Sequence, residues 1–208
     1  MSETSETTEQ LITPEIIAES MDYNGYRTMI DALLAEGKTT GSNHSEAMIE
    51  YTKMNVHRMN RLDKQAQLTN LLLDALKEVD EDWIWLVLTE AWCGDAAQNI
   101  PVIARMAEQS SHIDVKFILR DQYPGIMDQY LTNGGRSIPK LVCLDAETLE
   151  EIGTWGPRPE EAQQKAMNWK NDPDVTTKEW SRRLHKWYAD NKTEDVQAEF
   201  EALIRQWG

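Results

Sequence analysis

The hydrophobic pattern is clearest in the middle of the chain, where short apolar runs alternate with amphipathic segments. Residues 83–88 form an unbroken run rich in β-branched and aromatic side chains, which is typical of a strand covered on both faces. Residues 96–110 follow with apolar side chains at helical spacing, interrupted by Pro101. The pattern therefore predicts a buried strand that leads directly into a helix.

The same alternation continues toward the C-terminus. Further strands are predicted over Ile113–Leu119, 141–144 and 149–155, with the last two forming a hairpin. A helix then resumes over residues 160–170. Residues 83–168 are therefore predicted to form one α/β domain.

The segments before residue 83 predict helices and no strand. Residues 1–13 are mainly Ser, Thr and Glu, so they are predicted to form a disordered tail. Pro14 stands in a Thr-Pro-Glu helix start, a second helix is predicted over residues 26–36, and helical spacing resumes over residues 45–79 after a polar loop. Residues 14–82 are therefore predicted to be a helical extension that packs on the α/β domain.

The C-terminal residues, 169–208, predict a second helical extension. Two helices are expected over residues 177–188 and 193–207. Their apolar faces carry three tryptophans, Trp180, Trp187 and Trp207. We expect these tryptophans to anchor the helices onto the domain, whereas an exposed aromatic cluster would mark a partner site.

Composition and charge limit the classes of binding partner and the cellular compartments to expect. The 208-residue chain has a formal charge of −15 spread along its length, which argues against nucleic acid because phosphates would be repelled. It has two cysteines, no leading apolar segment and no run long enough to cross a bilayer, so we expect a soluble cytoplasmic protein without a membrane partner. His44 and His57 have no Cys or His partner at metal-ligand spacing, so no metal site and no cofactor are predicted. The oligomeric state stays open.

Cys93 lies where the buried strand gives way to the helix. Unpaired N–H groups at a helix start stabilise negative charge, so a thiol there is expected to ionise more easily than a free one. The alternative is that Cys93 is a small buried residue in a turn. Glu90 and Asp95 would oppose ionisation, because like charge beside the sulfur raises its pKa.

Three motifs resemble the thioredoxin family: Trp92-Cys93-Gly94 at a strand-to-helix turn, Asp121-Gln122-Tyr123-Pro124-Gly125 before a helix, and Ile138-Pro139 before a strand. The resemblance covers residues 83–168. It implies a thioredoxin-like mixed sheet flanked by helices, a cis peptide bond before Pro139 and an active-site thiol at Cys93. The family's usual first strand has no counterpart before residue 83, so either the sheet is one strand short or that region is not helical as its pattern indicates.

The sequence departs from the family at the residues that serve the second sulfur. Ala96 stands at the position of the resolving cysteine, so Cys93 cannot close a disulfide with its usual neighbour. Val87 stands in place of the family's buried carboxylate, and Phe117 aligns with the lysine that partners it. Losing both charges is coherent, because a lone buried charge would be costly. Cys143 is predicted to be buried in a strand, which makes it a poor candidate for a resolving thiol.

The resemblance also implies a substrate groove beside the thiol. In the family this groove is formed by the tryptophan before the cysteine, the residue before the cis-proline and a glycine after the last strand. Its backbone pairs with an extended peptide or with glutathione. The binding residues expected here are Trp92, Gly94, Asp95, Arg120, Ile138, Pro139 and Gly156, with Trp155 and Arg136 at the rim.

Arg120 is a cation expected close to the thiol. It aligns with an apolar contact residue of the family, and its guanidinium could stabilise the Cys93 thiolate or hold a substrate carboxylate or phosphate. The alternative is a structural ion pair with Asp121 or Asp128.

These features support two main hypotheses about function. The first is a thiol–disulfide redox protein that acts through Cys93 alone, forms mixed disulfides with a protein or low-molecular-weight thiol, and needs an external thiol to finish. The second is a non-catalytic binding module that uses the groove beside the cis-proline and Cys93 only for packing. A third, iron–sulfur ligation with glutathione, resembles single-cysteine glutaredoxins, but Trp-Cys-Gly-Asp is unlike their motif.

Overall fold

The computed structural model describes residues 10–208 of the chain. They form a four-stranded mixed sheet with helices around it. The strands are β1 (Trp83–Thr89), β2 (Ile113–Leu119), β3 (Lys140–Asp145) and β4 (Glu151–Trp155). The helices are α1 (Pro14–Glu19), α2 (Tyr23–Ala35), α3 (Glu46–Gln65), α4 (Asn70–Glu78), α5 (Gly94–Ala107), α6 (Pro124–Met127), α7 (Glu160–Asn171), α8 (Thr177–Asn191) and α9 (Glu194–Trp207). The predicted mixed α/β fold is confirmed.

Strand β1 is central in the sheet, whose order is β2-β1-β3-β4. It pairs parallel with β2 and antiparallel with β3, and β3 pairs antiparallel with β4. Helix α5 makes the crossover that two parallel neighbours require. All seven residues of β1 are buried, as expected of an apolar run covered on both faces. The end of β1 therefore brings Cys93 to the start of α5.

The outer edge of β2 is the place where the family's first strand would be expected. A single residue pairs with β2 there. Met21, between α1 and α2, donates its amide to the Phe117 carbonyl at 3.0 Å and accepts the Phe117 amide at 2.8 Å. The ring of Tyr26 on α2 stacks on Phe117 with a centroid distance of 5.4 Å. Over the described residues the sheet is thus one strand short, and its edge is covered by a single bridge and a helix.

Residues 1–13 were predicted to be a disordered tail. Residues 1–9 of this segment lie outside the described part of the chain. The last four residues of the segment are packed on the domain. Ile12 is only 4% exposed and belongs to the core, and the Gln10 side-chain amide donates to the Leu149 carbonyl at 3.0 Å. The described end of this segment is ordered because Ile12 gives it apolar surface to bury.

Helix α9 is part of the main core. The Phe200 ring lies 5.2 Å from the ring centroid of Trp85 and 5.1 Å from that of Trp155. Trp207 meets Trp83 edge to face at 6.2 Å. Gly153 on β4 leaves space for this indole, because a Cβ there would lie 2.1 Å from Trp207 Nε1. Trp207 is therefore an anchor, as expected.

Helices α7 and α8 form an antiparallel pair with a small apolar cluster of its own, and we call residues 160–191 the α7–α8 hairpin. The cluster consists of Ala162, Ala166, Leu184 and Tyr188, with Trp169, Trp180 and Trp187 packed against it. Trp180 and Trp187 thus join the two helices to each other. The hairpin is attached to the rest of the protein largely by polar contacts at the start of α5, which are described below.

Candidate active site

Cys93 caps the first turn of α5 beside the cis-proline. Its Sγ atom accepts a long hydrogen bond from the Ala96 amide at 3.5 Å and donates to the Ile138 carbonyl at 3.2 Å. The peptide bond between Ile138 and Pro139 is cis. The structure therefore brings Cys93, Ile138 and Pro139 together, although the three residues come from separate segments.

The Cys93 thiol is buried and protonated at neutral pH. The residue is 8% exposed, and burial raises the pKa of the thiol to about 12. The negative charge of Asp95 adds to this effect, whereas the Ala96 amide and Arg158 oppose it. The expectation that the helix start would ease ionisation is therefore reversed, because desolvation outweighs the N–H groups.

Asp95 ties the start of α5 to the hairpin and to the segment before it. Its Oδ2 atom accepts from Arg158 Nη2 at 2.6 Å, and its Oδ1 atom accepts from the Tyr188 hydroxyl at 2.8 Å. The Asn99 side-chain amide donates to the Tyr188 oxygen at 3.1 Å and to the Asp95 carbonyl at 2.9 Å. Charge-assisted bonds of this kind are the strongest in such a network. Asp95 therefore joins the start of α5 to Arg158 and Tyr188, and Arg158 is a cation whose charge acts on Cys93.

Gly94 allows the hairpin to approach the start of α5 closely. A Cβ at Gly94 would lie 2.7 Å from Cε1 of His185 and 3.6 Å from Nη1 of Arg58. The His185 ring also meets Gln98, with Nδ1 and Nε2 3.4 Å apart. The residue after the thiol therefore faces helix α8, where no side chain of its own would fit.

His185 should make the protein less stable at acidic pH. Burial and the Arg58 charge lower its pKa to about 4, and Asp95 only partly opposes them. Below about pH 6.5 the unfolded chain binds the proton more readily than the folded one, so stability falls as the pH drops toward about 4. The full shift corresponds to about 3 kcal/mol, and partial solvent exposure should reduce the effect to roughly 2 kcal/mol.

The substitution His185→Gln should flatten this acid limb, as measured by urea unfolding between about pH 7 and pH 4. The exposed His57 provides the matched control, and His57→Gln should leave the limb unchanged. An acid limb of equal depth in both variants would contradict the assignment.

Arg120 forms the ion pair with Asp121 that its structural alternative predicts. Its Nε atom donates to Asp121 Oδ1 at 2.8 Å, and Nη1 donates to the Arg136 carbonyl at 3.2 Å. The guanidinium carbon lies 4.9 Å from the ring centroid of Trp92, which is a cation–π distance. Arg136 in turn pairs with Asp128 at 2.7 Å. Trp92 and Arg120 thus support each other at the rim of the site.

Glu90 supports the turn after β2. Its carboxylate is fully buried, and Oε1 accepts from the Asp121 amide at 2.9 Å. Burial raises the pKa of Glu90, and hydrogen bonds from Thr40 and Asp121 oppose that rise. Glu90 therefore supports the backbone around Arg120.

The positions that have lost the family's charges face each other. Val87 on β1 is in register with Phe117 on β2, and both side chains are fully buried. Cys143 is also fully buried, opposite Trp85, and burial raises its pKa to about 12. Both cysteines of the chain are free. An apolar pair thus fills the space that a charged pair would occupy.

Gly156 packs against the cis-proline. Its φ angle is +112°, and a Cβ there would lie 2.3 Å from the Pro139 carbonyl oxygen. Any other residue would need both a strained backbone and a displaced loop. Gly156 therefore lies in the same cluster as Ile138, Pro139 and Cys93, and the following bond to Pro157 is also cis.

Two cavities border the hairpin, and Cys93 lines neither of them. The first, of ≈470 Å³, lies between the loop before the cis-proline and the hairpin, and we call it the loop cavity. Its lining includes Thr132, Gly135, Ser137, Gln163, Met167 and Trp180. The second, of ≈630 Å³, lies between α3, the start of α5 and α8, and we call it the α3–α8 cavity. The hairpin therefore lines both cavities, and the second of them reaches Trp92 and Gly94 on either side of Cys93 in the sequence.

Neither a candidate metal centre nor a membrane-spanning helix occurs in residues 10–208. No group of three or more His, Cys, Asp or Glu side chains there is arranged to hold a metal ion. No helix there has the combined length and apolarity needed to cross a bilayer.

Comparison with known proteins gives one family and two similar folds. A family model described as thioredoxin matches residues 41–176. A crystal structure of a protein of unknown function from Pseudomonas aeruginosa has a TM-score of 0.59, and that of an HIV epitope-scaffold has 0.57. Each is 17% identical, with 92% of this chain and 96% of the other covered, so the likeness concerns the fold alone. None of the curated proteins compared with the chain matches it.

Proposed function

The chain belongs to the thioredoxin family, and we propose that it is a non-catalytic binding module that holds an extended peptide in the loop cavity beside the cis-proline. One contrast carries this proposal. The thiol is buried, with its pKa raised to about 12, while the cavity of ≈470 Å³ remains beside the loop that leads to Pro139.

The state of the thiol argues against catalysis. At neutral pH, a thiol with a pKa of about 12 is ionised in roughly one molecule in 10⁵, and only the thiolate attacks a disulfide. A mixed disulfide would also lack an internal thiol to resolve it, because Ala96 replaces the family's second cysteine and Cys143 is fully buried. Cys93 is then a packing residue that joins the start of α5 to the Ile138 carbonyl.

The walls of the loop cavity suit an extended segment. One wall is irregular backbone around Thr132, Gly135 and Ser137, which precede the cis-proline. The other is the hairpin, where Met167 and Trp180 supply apolar surface. The backbone amides of Thr132, Gly135 and Ser137 already bond within the loop, so a bound peptide would be held by the apolar surface of the hairpin wall and by side chains of the loop.

A monothiol exchange reaction is the second candidate, favoured by the position of the sulfur. Its Sγ atom lies 3.2 Å from the carbonyl before the cis-proline and at the start of a helix, where the family's attacking sulfur is held. The thiolate would attack a disulfide, form a mixed disulfide and release one thiolate, and an external thiol would then free Cys93. This route requires the buried sulfur to become accessible to its substrate.

Peptide selection separates the two candidates. A displayed peptide library is passed over immobilised wild-type protein and over Cys93→Ala, and bound peptides are released with denaturant in one arm and with a reductant in the other. We expect both proteins to select the same peptides and the reductant to release none. Ser137→Trp, which fills the loop cavity, should weaken the selected peptides at least roughly tenfold, by about 1.4 kcal/mol.

The exposed Gln129 lies outside the cavity lining, so Gln129→Trp is the matched control and should bind like the wild type. Peptides that need Cys93 and leave with reductant would replace the binding module with the exchange reaction.

A further inference from the structure

The α3–α8 cavity combines apolar walls with cationic side chains. Its apolar lining comes from Met48, Tyr51, Trp92 and Leu184. Arg58 and Lys178 supply its cationic groups, and the ring of His185, whose pKa is lowered to about 4, also lines it. Tyr51 is 48% exposed, which is unusual for a large ring, and it lies at this cavity. At ≈630 Å³ the cavity falls within the usual range of small-molecule sites, roughly 300–1,000 Å³.

The positive charges of this cavity are only partly offset by the chain, since Asp95 acts on Arg58 from beyond ion-pair distance. Within residues 10–208, neither Arg58 nor Lys178 takes part in an ion pair, although the chain carries a net charge of −15. The cavity's one carboxylate, on Asp95, is already bound by Arg158 at 2.6 Å. A cationic pair of this kind in an acidic protein points to an anion supplied from outside.

The guanidinium of Arg58 is held in place before any ligand arrives. Its Nη1 atom donates to Asn55 Oδ1 at 2.7 Å, and the Asn55 amide donates to the Ala91 carbonyl at 2.9 Å. Burial and the neighbouring Arg61 lower the pKa of Arg58, so the side chain is poorly solvated and would gain from a bound anion. Preorganised donors lose little conformational freedom on binding.

We infer that the α3–α8 cavity binds a small organic anion, whose carboxylate or phosphate oxygens contact Arg58 and Lys178 and whose apolar body packs between Tyr51 and Trp92. Oxyanions of this kind suit the planar fork of an arginine. This site goes beyond the proposed peptide site, since the two cavities share only Thr177 and Trp180 and it needs no chemistry at Cys93. Its ligand would lie beside Trp92 and Gly94, the two neighbours of the thiol.

The test measures binding of simple probes to the full chain by titration calorimetry. Benzoate and phenyl phosphate carry the two oxyanions on the same ring, and benzamide is the uncharged counterpart of benzoate. We expect at least one anion to bind at least tenfold more tightly than benzamide, with the affinity falling as salt is added. Tighter benzoate would identify a carboxylate ligand, and tighter phenyl phosphate a phosphorylated one.

Variants on the same two helices assign the contact. Arg58→Gln should weaken the anions roughly tenfold to a hundredfold, because a charge-assisted hydrogen bond is lost. Lys178→Gln, at an exposed position, should also weaken them and does not risk the fold. Lys53→Gln on α3 and Lys186→Gln on α8 are the controls, since both lysines already pair with carboxylates outside the cavity. Equal binding of benzamide and benzoate, no binding of any probe at millimolar concentration, or equal loss in the controls would overturn the inference.

Discussion

In the folded protein, Cys93 should react with iodoacetamide roughly a hundredfold more slowly than the same thiol in the unfolded chain at about pH 8. With its pKa raised to about 12, only about one thiol in 10⁴ is ionised there, against about a quarter of unperturbed thiols with a pKa near 8.5. A more basic thiolate is a better nucleophile, which recovers roughly 1.5 powers of ten of that difference. The rate should keep rising above about pH 9, where an ordinary thiol levels off.

The measurement is the rate of carbamidomethylation of Cys93, followed by mass spectrometry in the variant Cys143→Ala, where it is the remaining cysteine. The mirror variant, Cys93→Ala, reports Cys143, which is also buried with its pKa raised to about 12 and should be similarly slow. If Cys93 reacted within tenfold of the unfolded thiol, with a rate that levels off near pH 7, its burial would not describe the protein in solution. The exchange reaction would then be the better account.

The strands were predictable because their signal is local. The unbroken apolar run at residues 83–88 gave the buried strand β1, and Ile113–Leu119 was predicted with the bounds of β2. The pairing of Val87 with Phe117 was anticipated from the resemblance to the thioredoxin family and not from the runs themselves, and the two residues are in register in the sheet. Alternation and run length depend only on neighbouring residues.

The environment of the thiol was not predictable, because it depends on residues distant in sequence. The Tyr188 hydroxyl reaches Asp95 across 93 positions, and Arg158 reaches it across 63. A single polar contact leaves no periodic signal in the sequence. Arg158 was therefore missed as the cation near Cys93, although its position between Pro157 and Pro159 indicates a fixed backbone.

The helical extensions were predicted from the sequence, but the partners against which each helix packs were not. Trp207 and Trp180 both stand on predicted apolar faces, yet the first enters the main core and the second joins α7 to α8. Helical spacing identifies which side chains are buried and leaves open what they are buried against. The consequence for the site is large, since the face of α8 that carries His185 covers Gly94.

Arg158→Met should lower the free energy of unfolding by about 3 kcal/mol, the lower end of the range for breaking a buried ion pair. The Arg158 and Asp95 side chains are only 13% and 10% exposed, so removing the guanidinium leaves a carboxylate with little water to solvate it. Urea unfolding at neutral pH measures the loss. Arg136→Met is the control, because its pair with Asp128 is half-exposed and should contribute less than about 1 kcal/mol.

The double variant Arg158→Met with Asp95→Asn should recover part of that stability, because it removes the charge left without a partner. If Arg158→Met cost no more than Arg136→Met, the ion pair would not hold the start of α5 in place.

The variant Arg158→Met also tests whether the hairpin protects the Cys93 sulfur. Loosening the contact between Asp95 and Tyr188 should raise the carbamidomethylation rate of Cys93. If the free energy of unfolding fell by about 3 kcal/mol and the rate did not change, the main core, and not the hairpin, would protect the thiol.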